Sequence, residues 1–247
     1  MMQRKKFLQE SMGGLLGIAA ILPLIEAFKK SSGVTTSIGT GTTTSGRCIV
    51  SPTEVEGPYP YVGGEISNPL QRTDVTDGQI GIPLTLAFTI VNTNSSCAIV
   101  SGARVDIWHC NKDGYYSGYG NQNGGALGTK SYLGETWLRG YQMTDANGIA
   151  SFSTIYAGWY MGRATHIHIE VYVNNVLKKT TQITFPETIS DVVHVTRPYA
   201  AHGINTTRNA NDGIFNNSAT DLANETIALT GNTTSGYAGS YTLGLSL

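Results

Sequence analysis

Charged side chains are scarce in this chain. They make up 13% of its 247 residues, with 16 basic and 17 acidic side chains and a formal net charge of −1. These charges are scattered, so there is no basic stripe that could follow a phosphate backbone, and nucleic acid is excluded as an expected partner. A convincing helical period is also missing from the body of the chain, which counts against a helical bundle.

Cysteine is scarce as well, with three residues in the chain. In an oxidising compartment three cysteines can form one disulfide and leave one thiol. Cys48 and Cys97 flank the first predicted strands, whereas Cys110 closes an apolar segment. We therefore predict a Cys48–Cys97 disulfide and a buried Cys110 that packs as a small hydrophobic residue.

Residues 1–30 are predicted to be an export signal. A basic cluster at Arg4-Lys5-Lys6 is followed by an uncharged stretch over residues 11–25, which is short for a membrane span. The start of this segment resembles a relaxed twin-arginine signal, and the general secretory route is also open. The alternative is an N-terminal anchor or a buried helix. We expect an exported protein, periplasmic or extracellular, that touches a membrane only if this segment is retained.

Residues 31–46 contain no charge and no aromatic side chain, and they show no hydrophobic period. This composition, rich in Ser, Thr and Gly, is typical of a flexible linker. The folded domain is therefore predicted to cover residues 47–247.

Short strands joined by turns are favoured by the composition, which includes 13 tyrosines, six phenylalanines and 30 glycines. The clearest early alternation is that of Leu84, Leu86, Phe88 and Ile90, which share one face of a strand. Further predicted strands contain Val105 and Ile107, residues 149–155 after a turn at 145–148, residues 166–173, residues 180–185 after a turn at Asn174-Asn175, and residues 241–245. We predict an all-β fold, an antiparallel β-sandwich with long connecting loops, with a closed barrel as the structural alternative.

His166 and His168 are the first candidates for metal ligands. On a strand, side chains two residues apart point to the same side, so both imidazoles can converge on one ion while Ile167 faces the core. Glu170 lies on the same face and allows a zinc or iron(II) site of two histidines and a carboxylate. A third possibility is an extracellular β-sandwich binding module in which the histidines are incidental.

Tyrosines surround this histidine pair in the sequence. Tyr115, Tyr116 and Tyr119 follow a predicted strand, and Tyr156 and Tyr160 come shortly before His166. A tyrosinate is a hard anionic oxygen that suits iron(III), which favours the ionised phenol and lowers its pKa from about 10.

Five elements in this order resemble the intradiol ring-cleavage dioxygenases, the group that includes the catechol and protocatechuate dioxygenases. They are Glu56-Gly57-Pro58-Tyr59, then Val105-Asp106-Ile107-Trp108-His109 followed by Gly114-x-Tyr116, Thr144-Asp145-x-x-Gly148, Tyr160, and Arg163-x-x-His166-Ile167-His168. The likeness covers about residues 48–190 and is greater to secreted, stand-alone members of the family.

The resemblance implies an iron(III) cofactor and a reaction that inserts both atoms of O2 into a small aromatic diol of the catechol type, giving a muconate-type diacid. The implied iron ligands are Tyr116, Tyr160, His166 and His168, with Tyr160 displaced when substrate binds. Arg163 and Gln182 are implied to meet the substrate ring and the bound intermediate.

This chain departs from the family pattern at several points. Ala164 stands where a proline is usual after the arginine, and Tyr115 leaves the first ligand ambiguous by one residue. The segment from the second tyrosine to the histidines is short, which implies an open or differently shaped pocket. The helical segment through which catechol dioxygenases dimerise is not found, so no oligomeric state is predicted.

Overall fold

Extended chain dominates the structure, a computed structural model that describes residues 48–60 and 70–247. The predicted signal at 1–30 and linker at 31–46 lie outside these residues, so both stay predictions. The strands are β1 (Pro83–Asn92), β2 (Ala98–Ile99), β3 (Arg104–Trp108), β4 (Arg139–Met143), β5 (Ile149–Ile155), β6 (His166–Val173), β7 (Val176–Thr184), β8 (Ala228–Asn232) and β9 (Gly236–Leu245), with helices α1 (Glu187–His194) and α2 (Ala219–Glu225).

Two sheets form a sandwich. One has the order β4-β3-β6-β7 and is antiparallel throughout; in the other, β1 pairs with β2, β5 and β9, and β8 adds to β9. One buried apolar cluster joins residues of both sheets, among them Leu86 and Phe88 of β1 and Ile107 and Ile169 of the β4-β3-β6-β7 sheet. The predicted β-sandwich is confirmed, with one difference: β1 and β9 are parallel.

Strand β6 is buried on both faces. Ile167, Ile169 and Val171 point into the apolar cluster, as their alternation predicts. His166 and His168 lie on the opposite face and are also buried. Segments outside the sheets therefore cover the outer face of this sheet, and the histidines lie between that sheet face and the covering segments.

The β6–β7 hairpin closes through the predicted turn. Asn174 and Asn175 both have positive φ, 52° and 62°, which matches the tight two-residue turns of β-hairpins. Val173 pairs with Val176 directly across this turn. Strand β7 therefore begins at Val176, four residues before its predicted start, because the hairpin pairs from the turn onward.

The region after Asp191 is more regular than predicted. The sequence predicts one strand there, over residues 241–245, but α2 and β8 also form, and that strand, β9, begins at Gly236. Helix α1 is missed as well, because two turns are too short to establish a helical period. Within the described ranges, no helix is both long and apolar enough for a membrane crossing.

The cysteines behave as predicted. Cys48 and Cys97 form a disulfide with their α-carbons 5.5 Å apart. Cys110 is free and buried. The disulfide ties the start of the described chain to the connection between β1 and β2.

Candidate metal centre

Three donor atoms meet on the outer face of β6. The Nε2 atoms of His166 and His168 lie 3.1 Å apart, and the Tyr116 hydroxyl lies 3.1 Å from each of them. All three side chains are buried. The histidines come from one strand, whereas Tyr116 comes from the long loop between β3 and β4.

Gln122 fixes the backbone of Tyr116. Its amide oxygen accepts the Tyr116 N–H at 2.7 Å, and its amide nitrogen donates to the Tyr116 carbonyl at 2.7 Å. Gly114, two residues earlier, has a φ of +86°, and a β-carbon there would collide with the carbonyl oxygen of Trp159. The loop is thereby held against the segment that leads to Tyr160.

Tyr115 points away from this centre. Its hydroxyl donates to the Gly128 carbonyl at 2.6 Å and accepts the Leu127 N–H at 2.8 Å. The choice between neighbouring tyrosines, which the sequence left open, is therefore made by the loop: Tyr116 lies with the histidines and Tyr115 binds the backbone of its own loop.

Both histidines are held in the neutral form. Burial lowers their pKa well below the ordinary value, and the positive charge of Arg163 adds to the effect. The Nδ1 atom of His166 lies 2.6 Å from the Ala164 carbonyl, which can only accept, so Nδ1 carries the proton. Its Nε2 atom therefore presents a lone pair to His168 and Tyr116.

Tyr160 stands at the edge of the cluster. Its ring centroid lies 5.8 Å from that of Tyr116 and 5.6 Å from that of His166. Burial raises the pKa of Tyr160 to about 12, opposed by the charge of Arg163, whose Nη1 lies 3.5 Å from the hydroxyl. Burial also raises the pKa of Tyr116 well above its ordinary value. Both phenols thus need a bound cation to ionise at neutral pH.

The spacing of the three donor atoms fits a metal ion. Ligands at right angles around an ion with bonds of about 2.1 Å lie about 3.0 Å from one another, close to the observed 3.1 Å. Two imidazoles with a phenol oxygen suit iron, and a phenolate favours the trivalent ion.

The alternative site of two histidines and Glu170 is not favoured. In residues 48–60 and 70–247, no three side chains of the His, Cys, Asp and Glu types come together as metal donors. The Glu170 carboxylate instead accepts from the Tyr172 hydroxyl at 2.7 Å.

Aromatic side chains pack around the donors. The Trp108 ring lies against His168, with centroids 4.9 Å apart and planes 5° from parallel. Tyr59 stacks on Tyr116 at 4.7 Å. Arg139, which sequence reasoning did not single out, is buried beside the Tyr116 ring and donates to the Ser117 and Tyr59 carbonyls.

Arg163 and Gln182 meet beside the cluster. The Arg163 Nη2 group donates to Gln182 Oε1 at 2.6 Å, and Gln182 Nε2 donates to the Val55 carbonyl at 2.8 Å. Gln182 lies directly across from His168 in the β6–β7 pairing. Asp212 also binds Arg163 and was missed, because it lies 49 residues away in a stretch without a local motif.

The fold and this cluster together define a β-sandwich protein with a centre of histidine and tyrosine donors. A family model described as Dioxygenase matches residues 55–164, ending just before His166. A catechol 1,2-dioxygenase of Acinetobacter lwoffii is 25% identical over 168 residues, which are 60% of this chain and 51% of that protein. The chain thus spans about half the length of this curated relative.

Solved structures extend the similarity. An intradiol ring-cleavage dioxygenase from Tetranychus urticae is 29% identical, with a TM-score of 0.69 over 81% of this chain and 95% of that one. The dioxygenase domain of a carbohydrate-binding fusion protein from a Streptomyces species shares the fold, with 23% identity and a TM-score of 0.57 over 81% and 99% of the two chains. The family model, the curated relative and the solved structures agree in their similarity to the intradiol ring-cleavage dioxygenase family.

Proposed function

We propose that this protein is an exported iron(III) dioxygenase that cleaves a catechol-type diol between its two hydroxyl-bearing carbons. The observation that supports this proposal most is the meeting of the Tyr116 hydroxyl with the Nε2 atoms of His166 and His168 at 3.1 Å. The bond between the two carbons breaks and both atoms of O2 enter the product, a muconate-type diacid, so no further reductant is needed.

Tyr116, Tyr160, His166 and His168 would hold the iron. When bound, iron(III) supplies the charge that keeps phenol oxygens ionised and accepts electron density from the diol, which prepares the ring for O2. The buried imidazoles stay neutral through the reaction because their pKa values lie well below the ordinary value.

Tyr160 is the base in this proposal. Its ring lies at the edge of the cluster and is less deeply buried than that of Tyr116, so its oxygen is the one that an arriving diol can reach. The burial that raises its pKa to about 12 would make the Tyr160 phenolate a strong acceptor for a diol proton. The proton then resides on the Tyr160 oxygen, 3.5 Å from Arg163 Nη1.

Arg163 provides the positive charge beside the reacting atoms. Its Nη1 group lies 3.5 Å from both Tyr160 and His166 Nε2, in a largely buried position where a charge acts strongly. It would stabilise the negative charge that appears on oxygen during ring cleavage, while Gln182 holds the other terminal nitrogen. The surrounding rings of Tyr59 and Trp108 limit the access of water.

The test is an O2-uptake screen of the full chain with catechol, hydroxyquinol, protocatechuate and larger lignin-type diols, with metal analysis of the same sample. The expected protein is red-brown from tyrosinate-to-iron(III) absorption, and the product spectrum is that of an intradiol diacid. A colourless protein with stoichiometric zinc would rule the proposal out, and a metal-free protein that binds diols without O2 uptake would make it a binding module. Tyr160→Phe is expected to alter the visible band and abolish turnover.

The export proposal has its own support and its own test. The Cys48–Cys97 disulfide is of a kind that forms in oxidising compartments. Fractionation of producing cells should recover the protein outside the cytoplasm. Recovery of the protein in the cytoplasm with reduced cysteines would contradict export.

A further inference from the structure

The guanidinium of Arg163 is held by a carboxylate from a distant part of the chain. Asp212 lies in the chain between α1 and α2, and its Oδ2 atom accepts the Arg163 Nε–H at 2.8 Å. The Asp212 side chain is fully buried and that of Arg163 is 15% exposed. A buried carboxylate is costly unless it is paired, so this contact is strongly favoured over its absence.

The same carboxylate also accepts hydrogen bonds from two backbone N–H groups. Its Oδ2 atom accepts the Ala164 N–H at 2.6 Å, and its Oδ1 atom accepts the Ile214 N–H at 2.8 Å. Asn205 donates from its amide to the Arg163 carbonyl at 2.9 Å. Residues 205–214 therefore fix both the backbone and the side chain at Arg163.

A guanidinium is planar, so fixing two of its nitrogens determines where the third points. Asp212 holds Nε and Gln182 holds Nη2. The remaining nitrogen, Nη1, is thereby directed at the Tyr160 hydroxyl and His166 Nε2, each 3.5 Å away. Without Asp212, one of the two anchors is lost and the group can rotate about its link to Gln182.

We propose that Asp212 is a positioning residue that aims Arg163 Nη1 at the reacting atoms. This inference rests on the proposed function, because it gives Arg163 its task there. Asp212 does not touch the donor cluster in this arrangement; it acts through the arginine. Asn at this position keeps the shape and one acceptor oxygen but loses the charge that holds Nε.

The experiment is a double-mutant cycle on the full, iron-loaded chain. Asp212→Asn is expected to lower kcat about 10- to 100-fold, which is the usual effect of removing a residue that orients the groups around a metal site. The iron content and the visible band are expected to stay unchanged. In an Arg163→Met background the same change is expected to alter kcat less than about twofold, because the arginine through which Asp212 acts is absent. Equal loss in both backgrounds, or none, would overturn the proposal.

A matched control is available in the same domain. Asp191 forms a two-bond ion pair with Arg208, at 2.7 and 2.8 Å, in a part-exposed position away from the donor cluster. Asp191→Asn removes an Asp–Arg pair of similar bond length and is expected to leave kcat unchanged. If Asp212→Asn does not fold, the cycle is run with Asp212→Glu, which moves the carboxylate by one methylene group. A loss of kcat that is larger with Arg163 present than in the Arg163→Met background then supports the proposal, and an equal loss overturns it.

A second measurement does not depend on turnover. Crystal structures of the full chain with Asp212 and with Asp212→Asn should show Nη1 of Arg163 moved away from the Tyr160 hydroxyl in the variant. An unmoved arginine would overturn the positioning role. If the unaltered protein cleaves no diol at all, the proposed function fails, and this comparison still decides whether Asp212 positions Arg163.

Discussion

Gly57 lies against the ring of His168. A β-carbon on Gly57 would come within 2.9 Å of His168 Cε1, and the residue has a φ of +74°. The β6 histidine therefore keeps its place only because the segment that covers it has no side chain at this point. Gly57→Ala is expected to displace the imidazole and to reduce iron binding, measured as iron per chain and as loss of the visible band.

Gly78 provides the control for this change. Its φ is +79°, but a β-carbon there would meet nothing within 4 Å. Alanine costs about 1–2 kcal/mol of stability at either position because of its positive φ. Gly78→Ala should therefore lower the melting temperature and leave the iron content intact. Equal iron content in the two variants would show that the contact with His168 is unimportant.

The neighbouring tyrosines should behave differently when their hydroxyls are removed. Tyr116→Phe deletes the oxygen that lies 3.1 Å from both histidines, so we expect loss of the visible band and of turnover. Tyr115→Phe deletes two hydrogen bonds to its own loop and should cost about 1–2 kcal/mol in denaturant unfolding while the band persists. The reverse pattern would assign the metal to Tyr115.

Stability should fall as pH rises because of Glu225. Its carboxyl is buried, and burial together with the nearby Glu54 raises the pKa of Glu225 to about 8. A carboxyl with a raised pKa stabilises the fold while protonated, and this stability is lost between about pH 4.5 and 8. We expect the free energy of unfolding to fall by an amount on the order of a few kcal/mol over this range, measured by denaturant unfolding at each pH.

Glu225→Gln should reduce this pH dependence, because an amide does not ionise. Burial also raises the pKa of Asp106 to about 6 and that of Glu170 to about 7, so these two carboxyls keep the remaining part of the slope. Glu56→Gln removes a carboxylate of equal charge from an exposed position and should retain the slope of the unaltered protein. An unchanged slope in Glu225→Gln would contradict the assignment to Glu225.

The three cysteines should be distinguishable by thiol labelling. Burial raises the pKa of Cys110 to about 12, so the native protein should show no reactive thiol, and the unfolded, unreduced protein should show one. Replacing Cys48 and Cys97 by serine opens a loop closed over 49 residues and should cost about 2–4 kcal/mol of stability. A reactive thiol in the native protein would contradict the burial of Cys110.

The strands that the sequence predicted best are those with strict alternation. Both His166–Val173 and Ile149–Ile155 form as predicted, because a period of two residues is a local property of the chain. Helix α1 and the strand Ala228–Asn232 were missed, since short elements in polar sequence form through tertiary packing. The parallel pairing of β1 with β9 also has no local signal.

The sequence by itself determined that His166 and His168 share a strand face and that phenols lie nearby in the chain, because both facts follow from spacing. The tertiary structure decided which phenol reaches them: Gln122 holds the backbone of Tyr116 while Tyr115 binds its own loop. It also decided what holds Arg163, since Asp212 arrives from a segment 49 residues away. Contacts between distant segments depend on how the loops close over the sheet, and no local pattern in the sequence encodes that closure.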